Sequence, residues 1–328
     1  MSGLFRADWL RFRKRGALQV MVIAVPVVAA FFYMVGYSGS GGGLIPFDEA
    51  AYRQQLIDEG AVTGLPPDEA EQQLQQMVAS ERSGYDEQAR SIRATQSTYA
   101  FPQSLLLLLG FATFAFLAII LITATTIGDE FGWGTIRTSL IASSNRRRFF
   151  LGRFVTLASV AVVLLTALLL LGVVLPGVLA VTGNGPPAAP PIDAAWLAVL
   201  VLADLVISIT LISFAMMATF LVRSGGLALV AALIYVAIEG AVLAALTRIE
   251  AFQDAGSLRW ILNLLPFRAT VTILDKLAVA AGRVEVYPGS NGPSDPGAAW
   301  LPLAALAVWG AVFLAIAFWR FRRMDIVE

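Results

Sequence analysis

The sequence predicts an all-α, polytopic membrane protein with six transmembrane helices. Hydrophobic residues make up 58% of the 328 residues and charged residues only 14%, whereas soluble domains carry about a quarter charged residues. Apolar runs of about twenty residues, enough to cross the hydrocarbon core, recur six times along the chain. Basic residues are concentrated in short segments beside these runs, which is the pattern of cytoplasmic loops.

The composition also excludes several kinds of chemistry. The chain has no cysteine and no histidine, which removes disulfides, thiol nucleophiles, zinc sites and imidazole acid–base catalysis. Its only lysines, Lys14 and Lys276, do not follow a G-x-x-x-x-G pattern, so the chain has no P-loop. We therefore predict no enzyme activity, no catalytic residue, no metal site and no cofactor in this chain.

The N-terminal part predicts an interfacial amphipathic helix over residues 1–16, in which aromatic and basic residues alternate. A basic flank that only sets topology is the alternative. Residues 17–37 form the first crossing, an uncleaved anchor because its apolar core is long and no small-residue cleavage site follows.

Residues 38–100 predict an extracytoplasmic helical loop with ten acids and four arginines. Helices are expected at Asp48–Gly60 and Asp68–Ser80, the second introduced by two prolines. Its apolar stripe is thin, so we expect these helices to pack on a neighbour or on the membrane surface rather than to form an enzyme domain.

The rest of the chain alternates crossings with short connections. A polar stretch before the last crossing, broken by Pro266, predicts short outer helices and a loop. Fourteen cations lie in the predicted inner segments and nine in the outer ones, so both termini are expected to be cytoplasmic. The further crossings are 101–127, 154–182, 194–222, 225–247 and 298–319, the outer helices and loop are 248–297, and the cytoplasmic tail is 320–328.

The segment 128–153, between the second and third crossings, is short, basic and rich in glycine. Glu130 and Arg137 are seven residues apart, which places them on one helix face and suits contact with a second protein. Asn145 and the serines before it can cap a helix that begins at the arginines. An ordinary positive-inside loop, in which any basic residues would serve, is the alternative.

The pattern Glu130-x3-Gly134-Thr135-x-Arg137, followed by Arg146-Arg147 and Gly152-Arg153, resembles the signature of type-two ABC exporter permeases. This resemblance implies a cytoplasmic coupling helix over about Gly128–Ser143 that docks on an ATP-binding subunit. The chain departs from the family where Ser143 stands in place of a proline and Arg153 in place of a lysine. The implied coupling residues are Asp129, Glu130, Gly134, Thr135, Arg137, Arg146, Arg147, Gly152 and Arg153.

The resemblance also implies an assembly and a place in the cell. The chain would be the transmembrane permease of an ATP-driven exporter in a bacterial cell membrane. The high content of arginine and alanine is also typical of bacteria with GC-rich genomes. Its partners would be two copies of an ABC ATPase subunit, which bind ATP and Mg²⁺, a second permease copy taken as identical, and the lipid bilayer, with no nucleic acid. An amphipathic or lipid-like cargo is expected.

Two carboxyl groups lie inside predicted crossings, Asp204 in the fourth and Glu239 in the fifth. Because a charge in the bilayer is costly, three roles are open: lining a translocation cavity, pairing with donors such as Ser208, Thr210 or Tyr235, or marking a cation path. The alternative function is accordingly a proton- or cation-coupled secondary transporter, although such folds usually show repeated halves. A passive membrane scaffold is a third possibility.

The fifth crossing is also rich in small residues, which lets helices approach closely. It is our first candidate for contact with a second copy, and lipid-facing alanine is the alternative.

Overall fold

The computed structural model describes residues 16–41, 47–110, 112–136, 145–182, 185–187, 194–246, 264–280 and 300–324. The regular secondary structure within these ranges is α-helical. The helices are α1 Gly16–Gly41, α2 Glu49–Asp58, α3 Pro67–Ser97, α4 Gln103–Gly110, α5 Ala112–Gly132, α6 Arg146–Val181, α7 Ala194–Val222, α8 Gly225–Leu246, α9 Pro266–Ala280 and α10 Trp300–Arg322.

Within the part of the chain that the structure describes, five stretches are long and apolar enough to cross a membrane, which makes the chain an all-α, multi-pass membrane protein. They belong to α1, α6, α7, α8 and α10. The predicted second crossing, 101–127, falls on α4 and α5. The five stretches are Gln19–Ser40, Arg146–Val181, Leu197–Val222, Gly225–Val242 and Trp300–Arg322.

Several predicted features lie outside the described residues. These are nearly all of the interfacial helix over 1–16, Arg137 with the following residues of the proposed coupling helix, most of the outer region over 248–297, and the end of the tail after Met324.

The chain divides into two compact units. The first comprises Met1–Ala29, Leu108–Leu171 and Pro191–Glu328. Helix α7 is its centre, because α7 packs against α5, α8, α9 and α10. Ile207, Ile212 and Met216 of α7 are fully buried, so this helix carries the core of the unit.

The second unit comprises Ala30–Leu107 and Gly172–Pro190. Here α2 and α3 pack on each other around Leu56, Leu74 and Val78, so the neighbour that the thin apolar stripe required is the other helix of the pair. Asp48 caps α2 by accepting from the N–H groups of Ala50 and Ala51.

Helix α3 begins at Pro67, as the two prolines predict, but it runs to Ser97 rather than ending at Ser80. The apolar stripe that marked the helix weakens after Val78. Its continuation is rich in good helix formers such as Glu, Gln, Arg and Ala. Propensity therefore extends the helix beyond the part that buries a face.

Aromatic and glycine contacts hold the remaining parts of the second unit. The hydroxyl of Tyr33 donates to the backbone carbonyl of Tyr99, and the two rings meet edge to face at 5.3 Å. The hydroxyl of Ser104 donates to the carbonyl of Gly172 at 2.5 Å. A side chain at Gly172 would collide with Leu105, so a glycine is needed at this contact.

Candidate functional site

The segment 128–153, which we call the elbow, is held at its base by a buried ion pair. Glu130, near the end of α5, pairs with Arg153, in the first part of α6. The two residues are only 5% and 4% exposed. The guanidinium of Arg153 also lies 5.2 Å from the centroid of the Phe149 ring, within cation–π distance. Both charges therefore face the protein interior and join α5 to α6.

The start of α6 is fixed by its cap and by a contact to the end of α10. Asn145 Oδ1 accepts from the N–H groups of Arg147 at 3.0 Å and Arg148 at 3.3 Å, which confirms the predicted cap. The guanidinium of Arg146 donates to the carbonyl oxygens of Arg322 at 2.8 Å and Met324 at 3.2 Å. This side chain thereby satisfies carbonyls at the end of α10 that lack intrahelical partners.

Phenylalanine rings close this end of the first unit. Phe220 of α7 lies 6.0 Å from Phe131, 5.7 Å from Phe150 and 5.3 Å from Phe321, measured between centroids. Phe150 also lies 5.2 Å from Phe318. The ends of α5, α7 and α10 and the start of α6 therefore meet. We call this the basic end, because it holds Arg146–Arg148, Arg153, Arg223 and Arg320–Arg323.

The backbones of α5 and α8 contact each other where the elbow begins. A methyl group on Gly128 of α5 would collide with the backbone of Gly225, and one on Gly225 would lie 2.6 Å from the carbonyl oxygen of Ala124. Ala124, Ala218 and Ala228 form a buried cluster at the same place. Small residues thus let α5, α7 and α8 approach closely.

The turn that follows α5, Trp133 to Thr135, is exposed, and we call this turn the tip. The residue Trp133 is 72% exposed, Gly134 turns the chain with a φ of 65°, and Thr135 is exposed. Of the other residues that the resemblance implies, Arg147 is exposed, Asp129 and Arg146 are half-buried, and Gly152 is buried.

Sequence reasoning did not single out Trp133 or Gly225. An aromatic residue directly before the Gly-Thr of the turn, and a Gly-Gly pair at the start of α8, were the available signals.

Glu239 caps a helix from another part of the chain. Its Oε1 accepts from the backbone N–H of Arg268 at 2.7 Å, and Phe267 also donates to the carboxyl group. Both N–H groups belong to the first turn of α9, which begins at Pro266. Tyr235, one turn earlier on α8, also hydrogen-bonds with Glu239. Of the three roles left open, Glu239 takes the paired one in this structure.

Asp204 is placed differently. It is 2% exposed, and its Oδ1 has no hydrogen-bond partner among the described residues. The same holds for the hydroxyl of Ser208, one turn later on α7. Thr210 was another possible donor to the buried carboxyl groups, but its hydroxyl lies 2.9 Å from the carbonyl oxygens of Val206 and Leu306 and donates to them instead. Asp204 is thus a buried carboxyl group with an unused acceptor atom.

A small cavity lies beside Thr210 in the first unit. The cavity is just large enough for about one water molecule. Phe214, Phe267 and Phe313 contribute to its wall. Within the described ranges, no three His, Cys, Asp or Glu side chains group as a metal site would require.

Most of the small residues of α8 lie at the surface of the isolated chain. Ala237, Gly240 and Ala241 are exposed, whereas Ala232 is buried. This leaves both roles open for the exposed face, a contact with a second copy or with lipid.

Comparison with known proteins places the chain by family. The family model described as "Protein of unknown function (DUF2705)" matches residues 76–327. No curated protein matches the chain. The matched range runs from α3 to α10 and includes the elbow, Asp204 and Glu239. Because the match covers well over half of its length, the chain belongs to the DUF2705 family.

Proposed function

We propose that this protein is the transmembrane permease subunit of an ATP-driven ABC exporter. The elbow would receive the movement of a separate ATPase subunit and pass it to the transmembrane helices. The observation that carries the proposal is an exposed tip, Trp133 to Thr135, on a base locked by the buried pair of Glu130 and Arg153.

Such a base suits force transfer for an energetic reason. Separating a buried ion pair leaves an uncompensated charge, and removing one partner of such a pair costs about 3–5 kcal/mol. A push on the tip therefore moves the end of α5 and the start of α6 together. Phe220 and Phe321 contact aromatic side chains of this base, so α7 and α10 receive the same displacement.

The exposed tryptophan supports a protein partner at the tip. Trp is enriched among residues that dominate protein interfaces, and Trp133 directly follows the last turn of α5, which contains Asp129 and Glu130. A membrane–water interface also favours tryptophan. Only a protein contact predicts that replacing Trp133 releases the ATPase subunit.

In the proposed assembly the chain crosses a bacterial cell membrane six times, with α4 and α5 in the second crossing and both termini cytoplasmic. Two identical copies pair with two ATPase subunits, which supply the sites for ATP and Mg²⁺. The helices then alternate between two packings that open to opposite sides. The apolar character of the spans supports an amphipathic or lipid-like cargo.

The test uses the full chain, tagged and purified from membranes of its own host with mild detergent, then placed in nanodiscs. We expect Mg²⁺-dependent ATP hydrolysis by a co-purified subunit with a P-loop. Trp133→Ala should lose that subunit and the hydrolysis. Trp300→Ala is the matched control, because Trp300 is 66% exposed at the start of α10. Wild-type chain without ATPase, or undiminished hydrolysis with Trp133→Ala, would overturn the proposal.

The Oδ1 of Asp204, which has no hydrogen-bond partner among the described residues, favours a second candidate, a proton- or cation-coupled secondary transporter. Glu239 fits this candidate less well, because its Oε1 already caps α9 and only its Oε2 has no hydrogen-bond partner among the described residues. Proteoliposomes with the purified chain alone and an internal pH-sensitive dye test it. Proton uptake that Asp204→Asn abolishes would support this candidate, and equal leakage of both chains would reject it.

A further inference from the structure

The first turn of α6 and the last turn of α10 form one arginine-rich surface. Arg146 donates to the carbonyl oxygens of Arg322 and Met324. The rings of Phe149 and Phe321 stack at 5.8 Å with 15° between their planes. These contacts place two helix turns side by side, and the turns carry four exposed side chains that we call the arginine patch: Arg147, Arg148, Arg322 and Arg323.

The helix end beneath this patch has an unfavourable charge arrangement by itself. The positive end of a helix dipole stabilises anions, but α6 has three arginines and no acid in its first turn. Asn145 caps the N–H groups without supplying a charge, and Glu130 is already paired with Arg153. An external anion would relieve this arrangement.

Nearby acids in the sequence do not remove the excess of positive charge. Asp129 is half-buried near the end of α5, and Asp325 and Glu328 follow α10 outside the described residues. Even with these three and Glu130, the arginines of α6 and α10 outnumber the acids at this end.

The position of the patch at the end of a transmembrane stretch indicates which anions lie close to it. The guanidinium of Arg323 lies 4.5 Å from the centroid of Trp319, and that of Arg322 lies 5.9 Å from the centroid of Phe318. Trp319 is 51% exposed at the end of a transmembrane stretch. Tryptophan marks the membrane–water interface, where arginine stems lie along apolar surface and their charged heads reach out. That is the level of the phospholipid headgroups.

We propose that the arginine patch binds the phosphate groups of anionic phospholipids, such as phosphatidylglycerol. Guanidinium groups bind phosphate oxygens through paired hydrogen bonds. Arginines from two helices would share the headgroups and so hold the start of α6 and the end of α10 at a fixed depth. This site does not depend on the proposed exporter function.

The experiment measures phosphatidylglycerol binding to the purified full chain, without any ATPase, by native mass spectrometry in competition with phosphatidylcholine. We expect a preference for phosphatidylglycerol. Each arginine near an anionic surface contributes about 1 kcal/mol, or about fivefold. Arg147→Gln with Arg148→Gln should therefore weaken the preference by about 30-fold.

The matched control is Arg90→Gln with Arg93→Gln, which removes two exposed arginines from α3. This control should keep the preference, and melting curves in phosphatidylcholine show whether each variant folds. If the variant with Arg147→Gln and Arg148→Gln does not fold, the lipid preference is measured instead with Arg322→Gln and Arg323→Gln.

Three outcomes would overturn the proposal. The first is an unchanged preference in both patch variants, and the second is an equal loss in the α3 control. The third is displacement of the lipid by inorganic phosphate at matched concentration, which would indicate a site for free anions. If the first outcome is found, a separate purification of the patch variants from host membranes shows whether they lose an ATPase, which would assign the patch to a protein partner instead.

Discussion

The carboxylate of Glu239 accepts the backbone N–H of Arg268 at 2.7 Å, and so a residue of α8 caps the first turn of α9. Pro266 occupies the first position of α9, where no N–H is needed. The cap explains how a carboxyl group can lie inside an apolar helix. It meets N–H groups with no partner in their own helix and the positive end of a helix dipole.

This cap makes different replacements of Glu239 distinguishable. Glu239→Gln keeps an oxygen acceptor, so we expect a small loss of stability. Glu239→Leu leaves the N–H groups of Phe267 and Arg268 buried without that acceptor and should cost about 1–2 kcal/mol. Hydrogen exchange at the first turn of α9 provides the measurement. Equal protection in both variants would show that the cap does not hold this turn.

The pair of Glu130 and Arg153 should be far more sensitive than a surface pair. Glu130→Ala leaves the Arg153 guanidinium buried without its anion, and we expect a loss of about 3–5 kcal/mol in the free energy of unfolding. Glu130→Leu combined with Arg153→Met should recover much of that loss, because neither charge then remains buried.

Thermal unfolding in nanodiscs checks both variants. The control is Arg53→Ala, which removes the exposed pair of Arg53 with Glu71 and should cost about 1 kcal/mol or less. Similar losses for Glu130→Ala and Arg53→Ala would contradict a buried, energetically coupled base of the elbow.

Gly128 should not tolerate even a methyl group. Gly128→Ala places that group against the backbone of Gly225, and forced repacking of this kind costs about 1–3 kcal/mol. Gly226→Ala is the matched control, because nothing lies within 4 Å of the added atom and alanine favours a helix. Melting temperatures should fall for the first variant and hold or rise for the second, and the reverse order would refute the close contact.

We predict that the buried carboxyl group of Asp204 lowers the stability of the fold compared with an apolar side chain at the same position. Asp204→Leu replaces a buried acceptor that has no hydrogen-bond partner among the described residues with an apolar side chain of the same branching. We expect an unchanged or higher melting temperature. A marked fall would mean that Asp204 makes a favourable polar contact after all, and Asp204→Asn would then show whether that contact needs the charge.

The orientation of the elbow can be measured without background, since the chain has no cysteine. A cysteine at Thr135 should react with a membrane-impermeant maleimide only after cells are permeabilised. One at Ser83, exposed in α3, should react in intact cells. Labelling of Thr135→Cys from outside would reverse the predicted topology and remove the basis of the exporter proposal.

Features that depend on local chemistry could be predicted from the sequence. Helix α7 spans Ala194–Val222, the same bounds as the predicted fourth crossing, because the apolar run is bounded sharply on both sides. Pro266 predicted a break and proves to begin a helix. Asn145 caps α6 because its short polar side chain precedes the helix.

Features that depend on distant contacts could not be predicted. Arg153 pairs with Glu130 across the elbow, whereas helical spacing favoured a common face for Glu130 and Arg137. Nothing local distinguishes the two arginines, since burial depends on how α5 and α6 pack. Glu239 likewise finds its donors at Phe267 and Arg268, beyond the end of its own helix. The sequence shows that a carboxyl group is present but does not show which distant residues lie next to it in the fold.

The contact between Gly128 and Gly225 limits how this protein can change shape. Flexible side chains let two helices slide along each other, since they can change rotamer as they pass. Backbone atoms have no such freedom, and at this contact the helices are so close that even an added methyl group on Gly128 would lie 2.2 Å from the α-carbon of Gly225. We therefore expect α5 and α8 to move as a single block, so that any bending of this unit takes place at other positions.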